Sequence, residues 1–282
     1  MNEETESTTI KTQPNPKAGK NMATNKQPKE EAEKYVETRH VLIYGYTREE
    51  IDMLMRHYES QLPDYIKLTS ECKSLMIRLT LRGEHTGPEL LRFKINKYQQ
   101  QLKDMFAEEL VTTTDRDIAG VMGDLLRERE LTVSCAESCT GGNIAHHITR
   151  NAGSSAYFLG SVVSYSNDVK AGILGVSRND LARYGAVSKQ VVEQMAVGVS
   201  KLMHSDCAIA TSGIAGPDGG SRYKPVGTVW MAAKYGDHVV TELKQFGGDR
   251  DNVIECATYH VMVMLIKLLR NTYTAQEDIS DE

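Results

Sequence analysis

The amino-acid sequence predicts an α/β protein in two folded parts. A three-layer α/β/α sandwich is predicted at residues 113–272, and a small α+β module is predicted before it at 37–112. Strand-like and helix-like segments alternate in the second part, whereas the first part follows a β-α-β-β-α order. In addition, two glycine-rich junctions in the second part follow short apolar segments, which is where open α/β sheets bind ligands.

The two ends of the chain are predicted to be tails. Residues 1–36 are rich in Asn, Lys, Glu, Thr and Pro and almost lack large apolar side chains. Such a segment cannot bury enough surface to offset its ordering entropy, so we expect it to be disordered. Residues 273–282 are acidic and are expected to fray.

The module at 37–112 has clear strand and helix patterns. Thr47 can cap a helix that reaches about Leu62, because Ile51, Met55 and Tyr58 then share one face. A second helix is predicted from Pro88 to Leu110, and its basic residues alternate with acidic ones, which favours a solvated face over an RNA-binding one. The predicted strands are Val41–Tyr44, Tyr65–Leu68 and Leu75–Leu81.

The sandwich at 113–272 is predicted from alternating elements. Its helices carry apolar stripes at helical spacing, and its strands are short and apolar. The predicted helices are Asp115–Glu130, Asn143–Arg150, Ser188–Met203 and Val253–Leu269; the predicted strands are Leu131–Cys135, Gly160–Tyr165, Cys207–Thr211, Val226–Ala232 and Val239–Phe246.

Two glycine-rich junctions are the first candidate binding elements. Ala136–Gly142 joins a strand to a helix, so Gly141 and Gly142 can expose backbone N–H groups to an anion such as phosphate. Ser212–Gly220 follows the strand Cys207–Thr211 in the same way. The alternative is that these glycines merely end strands.

Composition limits the classes of function. The chain has 282 residues, 25% of them charged, and a net charge of −5, so no basic footprint for nucleic acid is present. No apolar run approaches the ~20 residues of a membrane span, and a cytoplasmic location is expected. Five cysteines fit reduced thiols better than disulfides. Cys135 and Cys139 lack partners at zinc-site spacing, so packing is their expected role.

The known nucleotide, zinc-protease and nucleophile-elbow motifs are absent from the sequence. A serine activated by lysine or tyrosine remains as the candidate chemistry. Tyr165 and Lys170 lie five residues apart across a strand end and turn, so both can face a cleft that contains Ser155. The alternative is a Ser/Tyr strand edge with a solvated lysine, because a lysine base needs a partly desolvated pocket.

Several ordered blocks resemble the C-terminal domain of the CinA family, over about Asp115 to Leu269. They are Ala-Glu-Ser-Cys-Thr-Gly-Gly at 136–142, Gly-Ser-Ser-Ala-Tyr-Phe at 153–158, Tyr-Ser-Asn at 165–167 with Lys170, Gly-Ala-Val-Ser at 185–188, Gly-Ile-Ala-Gly-Pro-Asp-Gly-Gly at 213–220, Lys-Pro-Val-Gly-Thr-Val at 224–229 and Gly-Asp-Arg at 248–250. The resemblance implies a nicotinamide-nucleotide amidohydrolase, which converts nicotinamide mononucleotide and water to nicotinate mononucleotide and ammonia without a cofactor.

The resemblance also implies the site residues. It makes Ser155, Tyr165 and Lys170 catalytic, with Ser155 as nucleophile or water-orienting group, Lys170 as its base and Tyr165 as proton relay. The residues implied to bind substrate through side chains or backbone donors are Ser138, Thr140, Gly141, Gly142, Ser212, Gly213 and Arg250.

The resemblance has further consequences for architecture and partners. Residues 39–110 resemble, by element order, the family's KH-type middle module. Full-length relatives begin with a molybdopterin-binding-like domain for which this chain has no room, so a pyrophosphatase activity is not expected. A homodimer, a small nucleotide substrate and no membrane partner are expected. The rival hypothesis is a nucleotide-sensing or assembly module that kept the pocket and lost turnover, and a solvent-facing Lys170 would favour it.

Overall fold

The structure is a computed structural model that describes residues 33–280, with side chains at 33–272. The predicted disordered tail therefore lies outside the described residues as far as residue 32. For the predicted acidic tail at 273–282, the structure describes only the backbone up to Ser280, where it continues the last helix.

The small module is an antiparallel sheet covered by two helices. Its strand order is β2-β3-β1-β4. The apolar faces of both helices join one hydrophobic cluster with the sheet, as the periodicity of Ile51, Met55 and Tyr58 predicts. The elements are β1 (Tyr35–Tyr44), α1 (Arg48–Glu59), β2 (Ile66–Lys73), β3 (Met76–His85), α2 (Pro88–Met105) and β4 (Leu110–Thr112). The similarity to KH-type modules stays a prediction.

Some elements of the module differ from the prediction. β1 begins at Tyr35, inside the predicted tail, because it pairs with β3 along its whole length although its first residues are partly exposed. α2 ends at Met105 rather than Leu110, since Leu110 begins β4 and pairs with Ile43. β4 was not predicted, because three residues are too few to show an alternating pattern.

The second part is a five-stranded mixed sheet between two helical layers. Its strand order is β6-β5-β7-β8-β9; β6, β5 and β7 are parallel, while β8 and β9 are antiparallel. The strands are β5 (Val133–Glu137), β6 (Phe158–Val163), β7 (Cys207–Gly213), β8 (Thr228–Tyr235) and β9 (His238–Gln245).

Helices cover both faces of this sheet and confirm the three-layer α/β/α sandwich. On one face the apolar side chains join the alanines of β5, β7 and β8, and on the other they join the larger side chains of the same strands. The first layer is α5 (Asn167–Leu174), α6 (Arg178–Tyr184) and α7 (Lys189–Met203); the second is α3 (Ile118–Glu128), α4 (Asn143–Thr149) and α8 (Arg250–Ser280). α5 and α6 were not predicted from the sequence.

The two parts share a core. Leu42, Tyr44 and Met76 of the module belong to the hydrophobic cluster formed by α3, α8 and the sandwich sheet. The Tyr44 hydroxyl also lies 3.1 Å from Nδ1 of His260 on α8. Residues from Lys34 onward form one compact unit, so the predicted boundary near 112 separates two sheets within that unit.

One helical segment among the described residues, Arg250–Thr272, is long and apolar enough to cross a membrane by length and composition. The sequence prediction that no run approaches this length is therefore wrong. However, 72% of its most apolar stretch is buried inside the protein, as in the core helix of a sandwich.

Candidate active site

The parallel strands bring three loops to one edge of the sandwich. β5, β6 and β7 all end at this edge, and their following loops begin at Ser138, Ser164 and Ile214. Open α/β sheets bind ligands at the carboxyl ends of such strands. The topology therefore places both predicted glycine junctions and the Tyr165–Lys170 segment on the same side.

Lys170 points into this edge from the first turn of α5. Ser166 caps the helix by accepting a hydrogen bond from Val169 N, which brings the lysine side chain back over the end of β6. Only 1% of Lys170 is exposed. Its Nζ lies 2.9 Å from Ser138 Oγ and donates to the backbone carbonyls of Ser164, at 2.6 Å, and Tyr165, at 3.4 Å.

Burial is the main influence on the charge of this lysine. It lowers the pKa of Lys170 below the ordinary lysine value, and within residues 33–272 no carboxylate forms an ion pair with it. The neighbouring Cys139 thiol is buried, which raises its pKa to about 12, so it stays protonated near neutral pH. Ser138 Oγ is thus the neighbouring side-chain hydroxyl that the structure places within hydrogen-bond distance of Lys170 Nζ.

Glu137 organises the first glycine junction, and sequence reasoning missed it. Its fully buried carboxylate accepts hydrogen bonds from Gly142 N, Ile144 N and Ala145 N at 2.9–3.1 Å. These N–H groups form the amino terminus of α4, where a negative charge is stabilised. The sequence signal that could have revealed Glu137 is an acidic residue at the end of an uncharged strand, just before a glycine-rich turn into a helix.

The predicted phosphate site at Gly141 and Gly142 therefore requires correction. Glu137 already occupies the helix terminus, and Gly141 N donates to Ser138 O. Both glycines have left-handed φ angles, +59° and +105°, which explains the residue type at this tight turn. Thr140 also faces inward, because its buried hydroxyl bonds Glu137 and Thr211 rather than the cleft.

The second glycine junction forms the opposite wall. Ser212 and Gly213 end β7, and the Ser212 hydroxyl donates to Ala186 O at 2.8 Å. Lys224, which was not predicted as a site residue, donates to the carbonyls of Tyr184 and Val187 and so holds the loop before α7. This wall is built from backbone and small side chains.

Arg250 lies at the open side of the cleft. Its guanidinium donates to Gly216 O at 2.6 Å and to the Tyr165 hydroxyl at 3.3 Å. Both side chains are exposed, with 65% of Tyr165 accessible. The arrangement leaves a fixed cation at the mouth, which suits an anionic group of a ligand.

The cleft encloses about 240 Å³ and collects six of the ten predicted site residues. Ser138, Tyr165, Lys170, Ser212, Gly213 and Arg250 line it, together with Cys139. Another cavity, of about 270 Å³, lies between the module and the sandwich beside His147 and Tyr259. None of the predicted site residues lines it, so the cleft at the strand ends is the candidate site.

Ser155 is not in the cleft, and the prediction that it faces Tyr165 and Lys170 is wrong within one chain. It is exposed in a short 3-10 helix, Ser154–Ala156, that precedes β6. Tyr165 and Lys170 follow the other end of that strand, and six strand residues span roughly 17 Å at ~3.3 Å per residue. Sequence spacing did not reveal this, because a whole strand intervenes.

Comparisons with known proteins place the chain in a family. Residues 115–269 match the model of the CinA C-terminal domain. A "CinA-like protein" of Flavobacterium psychrophilum is 36% identical over 235 residues, 83% of this chain and 56% of the relative. The chain thus spans about half the length of such relatives.

A shorter relative and a solved structure each match about half of the chain. "Nicotinamide-nucleotide amidohydrolase PncC" of Enterobacter agglomerans is 50% identical over 153 residues, which are 53% of this chain and 93% of that protein. The competence/damage inducible protein CihA of Agrobacterium tumefaciens superposes with a TM-score of 0.53 at 40% identity, covering 54% of this chain and 93% of that one. From these matches and the fold, the chain belongs to the CinA C-terminal domain family.

Proposed function

We propose that the chain is a nicotinamide-nucleotide amidohydrolase, which converts nicotinamide mononucleotide and water to nicotinate mononucleotide and ammonia. The observation that carries the proposal is the buried Lys170, whose Nζ lies 2.9 Å from Ser138 Oγ at the end of a cleft. The relatives named as nicotinamide-nucleotide amidohydrolases support the substrate, because they are 49–50% identical to this chain over 153 residues, which are 93% of their own length.

Ser138, rather than Ser155, is the proposed nucleophile. A neutral lysine amine has two N–H groups and one lone pair. The carbonyls of Ser164 and Tyr165 can accept both N–H groups, which directs the lone pair to Ser138 Oγ. Lys170 then takes the serine proton as Oγ bonds to the carboxamide carbon, in the manner of a serine–lysine dyad.

The remaining steps follow from the same two groups. The protonated Lys170 returns its proton to the carboxamide nitrogen, the carbon–nitrogen bond breaks, and ammonia leaves from a Ser138 ester. Water, deprotonated by Lys170, attacks the ester carbon and releases nicotinate mononucleotide with Ser138 restored. Because the base must be neutral, the lowered pKa of Lys170 favours both halves of the reaction.

Arg250 and Tyr165 are proposed to bind the phosphate. The guanidinium is the cation at the mouth, and it donates a hydrogen bond to the Tyr165 hydroxyl at 3.3 Å. We therefore propose that Tyr165 contacts the ligand at the mouth, in place of the proton relay expected from the resemblance. The amino terminus of α4 takes no part, because Glu137 occupies it.

The test is ammonia release from nicotinamide mononucleotide by the purified full chain. We expect Ser138→Ala and Lys170→Ala to lose turnover, whereas Ser155→Ala serves as the matched serine control and keeps it. An active Ser138→Ala protein would refute the dyad, and an inactive wild type would refute the substrate.

The rival function is a binding module without turnover. A solvent-facing Lys170 would favour it, but Lys170 is buried and directed at Ser138, which favours the enzyme. Saturable binding of the mononucleotide without ammonia release would support the rival. The cytoplasmic location, the homodimer and the separate module at 37–112 stay predictions from the sequence.

A further inference from the structure

The turn between β2 and β3 of the small module lies against the start of α8. Its two residues, Ser74 and Leu75, have left-handed φ angles of +48° and +68°, which such residues rarely adopt. Leu75 packs against the hydrophobic cluster of the sandwich rather than that of its own module. The hairpin tip is thus held by the sandwich.

A chain of side-chain hydrogen bonds leads from this tip to the loop before α8. Ser74 Oγ donates to Asn252 Oδ1 at 2.9 Å, and Asn252 Nδ2 donates to Gly247 O at 2.8 Å. The backbone N–H of Asn252 donates to Asp249 Oδ1 at 2.9 Å. One asparagine therefore joins the hairpin of the module to residues 247–249.

The next residue along this loop is Arg250, at the mouth of the cleft. Its contacts with Gly216 O and the Tyr165 hydroxyl depend on where the backbone at 247–250 places the guanidinium. Gly248, with φ at +87°, fits directly under the Asn252 side chain, since a Cβ there would lie 2.8 Å from Nδ2. The Asn252 amide therefore packs against the segment that carries Arg250 and holds it in place.

We propose that Ser74 is a positioning residue for ligand binding, which acts through Asn252 on Arg250. This rests on the proposed function, in which Arg250 binds the phosphate of the nucleotide. The neighbouring ion pair between Lys73 and Glu255 contributes little, because 63% of the lysine side chain is exposed. The small module thereby raises the affinity for a phosphate-bearing substrate, although none of its residues contacts that substrate.

The test measures steady-state ammonia release by the full-length Ser74→Ala protein. We expect KM for nicotinamide mononucleotide to rise about two- to tenfold, which corresponds to the ~0.5–1.5 kcal/mol of one neutral hydrogen bond, while kcat stays unchanged. Ser70→Ala is the matched control, because Ser70 lies on β2, the strand that leads into the turn, and its hydroxyl accepts a hydrogen bond from Arg48 instead of bonding to α8. Asn252→Ala should raise KM at least as much and replaces Ser74→Ala if that protein does not fold.

Two further comparisons separate positioning from general damage. With nicotinamide riboside, which has no phosphate, Ser74→Ala should leave kcat/KM unchanged. In an Arg250→Ala background it should add no further change, because both substitutions then act on one contact. An unchanged KM, an equal loss with the riboside, or full additivity with Arg250→Ala would each overturn the proposal.

An inactive wild type would refute the proposed function separately. In that case calorimetric titration with nicotinamide mononucleotide decides: a two- to tenfold weaker Kd for Ser74→Ala still supports positioning, and an equal Kd overturns it. If the wild type does not bind the nucleotide at all, both proposals fail.

Discussion

Two serines, Ser138 after β5 and Ser155 before β6, lie at opposite edges of the sandwich sheet in different surroundings. At the carboxyl edge, Ser138 is 2.9 Å from the Nζ of a lysine that is 1% exposed. At the amino edge, Ser155 is exposed in the short helix before the strand. An adjacent general base is one way to activate a serine hydroxyl, so the contrast supports Ser138 as the proposed nucleophile and teaches that position in the sheet decides which serine meets the lysine.

The largest loss of activity is expected from substitutions at the carboxyl edge of the sheet. Ser138→Ala and Lys170→Ala should each lower kcat by at least ~10³-fold, because the nucleophile and its base act as one unit. For the same reason the double variant should be no slower than either single one. Ammonia release with excess protein measures this, and a much slower double variant would contradict the shared step.

Glu137→Ala should destabilise the carboxyl edge. The fully buried carboxylate accepts five hydrogen bonds, from Thr140, Gly142, Ile144, Ala145 and Ser161. Its removal leaves buried donors unpaired, and we expect a loss on the order of 3 kcal/mol in the free energy of unfolding.

Urea denaturation measures the loss at Glu137, with the exposed Glu128→Ala as control. Equal unfolding free energies for the two variants would show that Glu137 does not hold α4.

Arg250→Ala tests the open side of the cleft at the same edge of the sheet. A charge-assisted hydrogen bond contributes about 1.5–3 kcal/mol, so KM for nicotinamide mononucleotide should rise ~10- to 100-fold. Nicotinamide riboside should show little change, because it lacks the anion. Steady-state kinetics with both substrates measure KM, and an equal rise for the two would show that Arg250 does not bind the phosphate.

The pH dependence of kcat/KM tests whether Lys170 is the base at the carboxyl edge. Burial lowers the pKa of this lysine below its ordinary value of 10.5, and the proposed reaction needs the neutral amine. Below that pKa, kcat/KM should therefore rise about tenfold per pH unit and then level off. A pH profile whose midpoint lies at or above 10.5 would contradict the buried base.

The smallest effect is expected at the amino edge. Ser155→Ala should change kcat/KM by less than about twofold, since within one chain a whole strand separates it from Lys170. The same assay measures it. A loss as large as that of Ser138→Ala would mean that Ser155 reaches a cleft from another copy of the chain.

Much of the fold could be predicted from periodicity. The stripe of Ile51, Met55 and Tyr58 identified α1, and Ile118, Met122 and Leu126 identified α3, because buried helix faces repeat every three or four residues. β4 could not be found, since three residues are too few for a repeat. The exposed start of β1 was missed because its partner strand is remote in sequence.

The sequence by itself determined the strand–glycine junctions, the tight turn at Gly141 and Gly142, and the position of Lys170 soon after a strand, since these depend on neighbours along the chain. Only the tertiary structure decided that Lys170 meets Ser138, that Glu137 occupies the end of α4, and that Ser74 reaches Asn252. The last contact joins residues 178 positions apart. Such contacts arise where strand order and layer packing bring distant segments together, which local patterns do not encode.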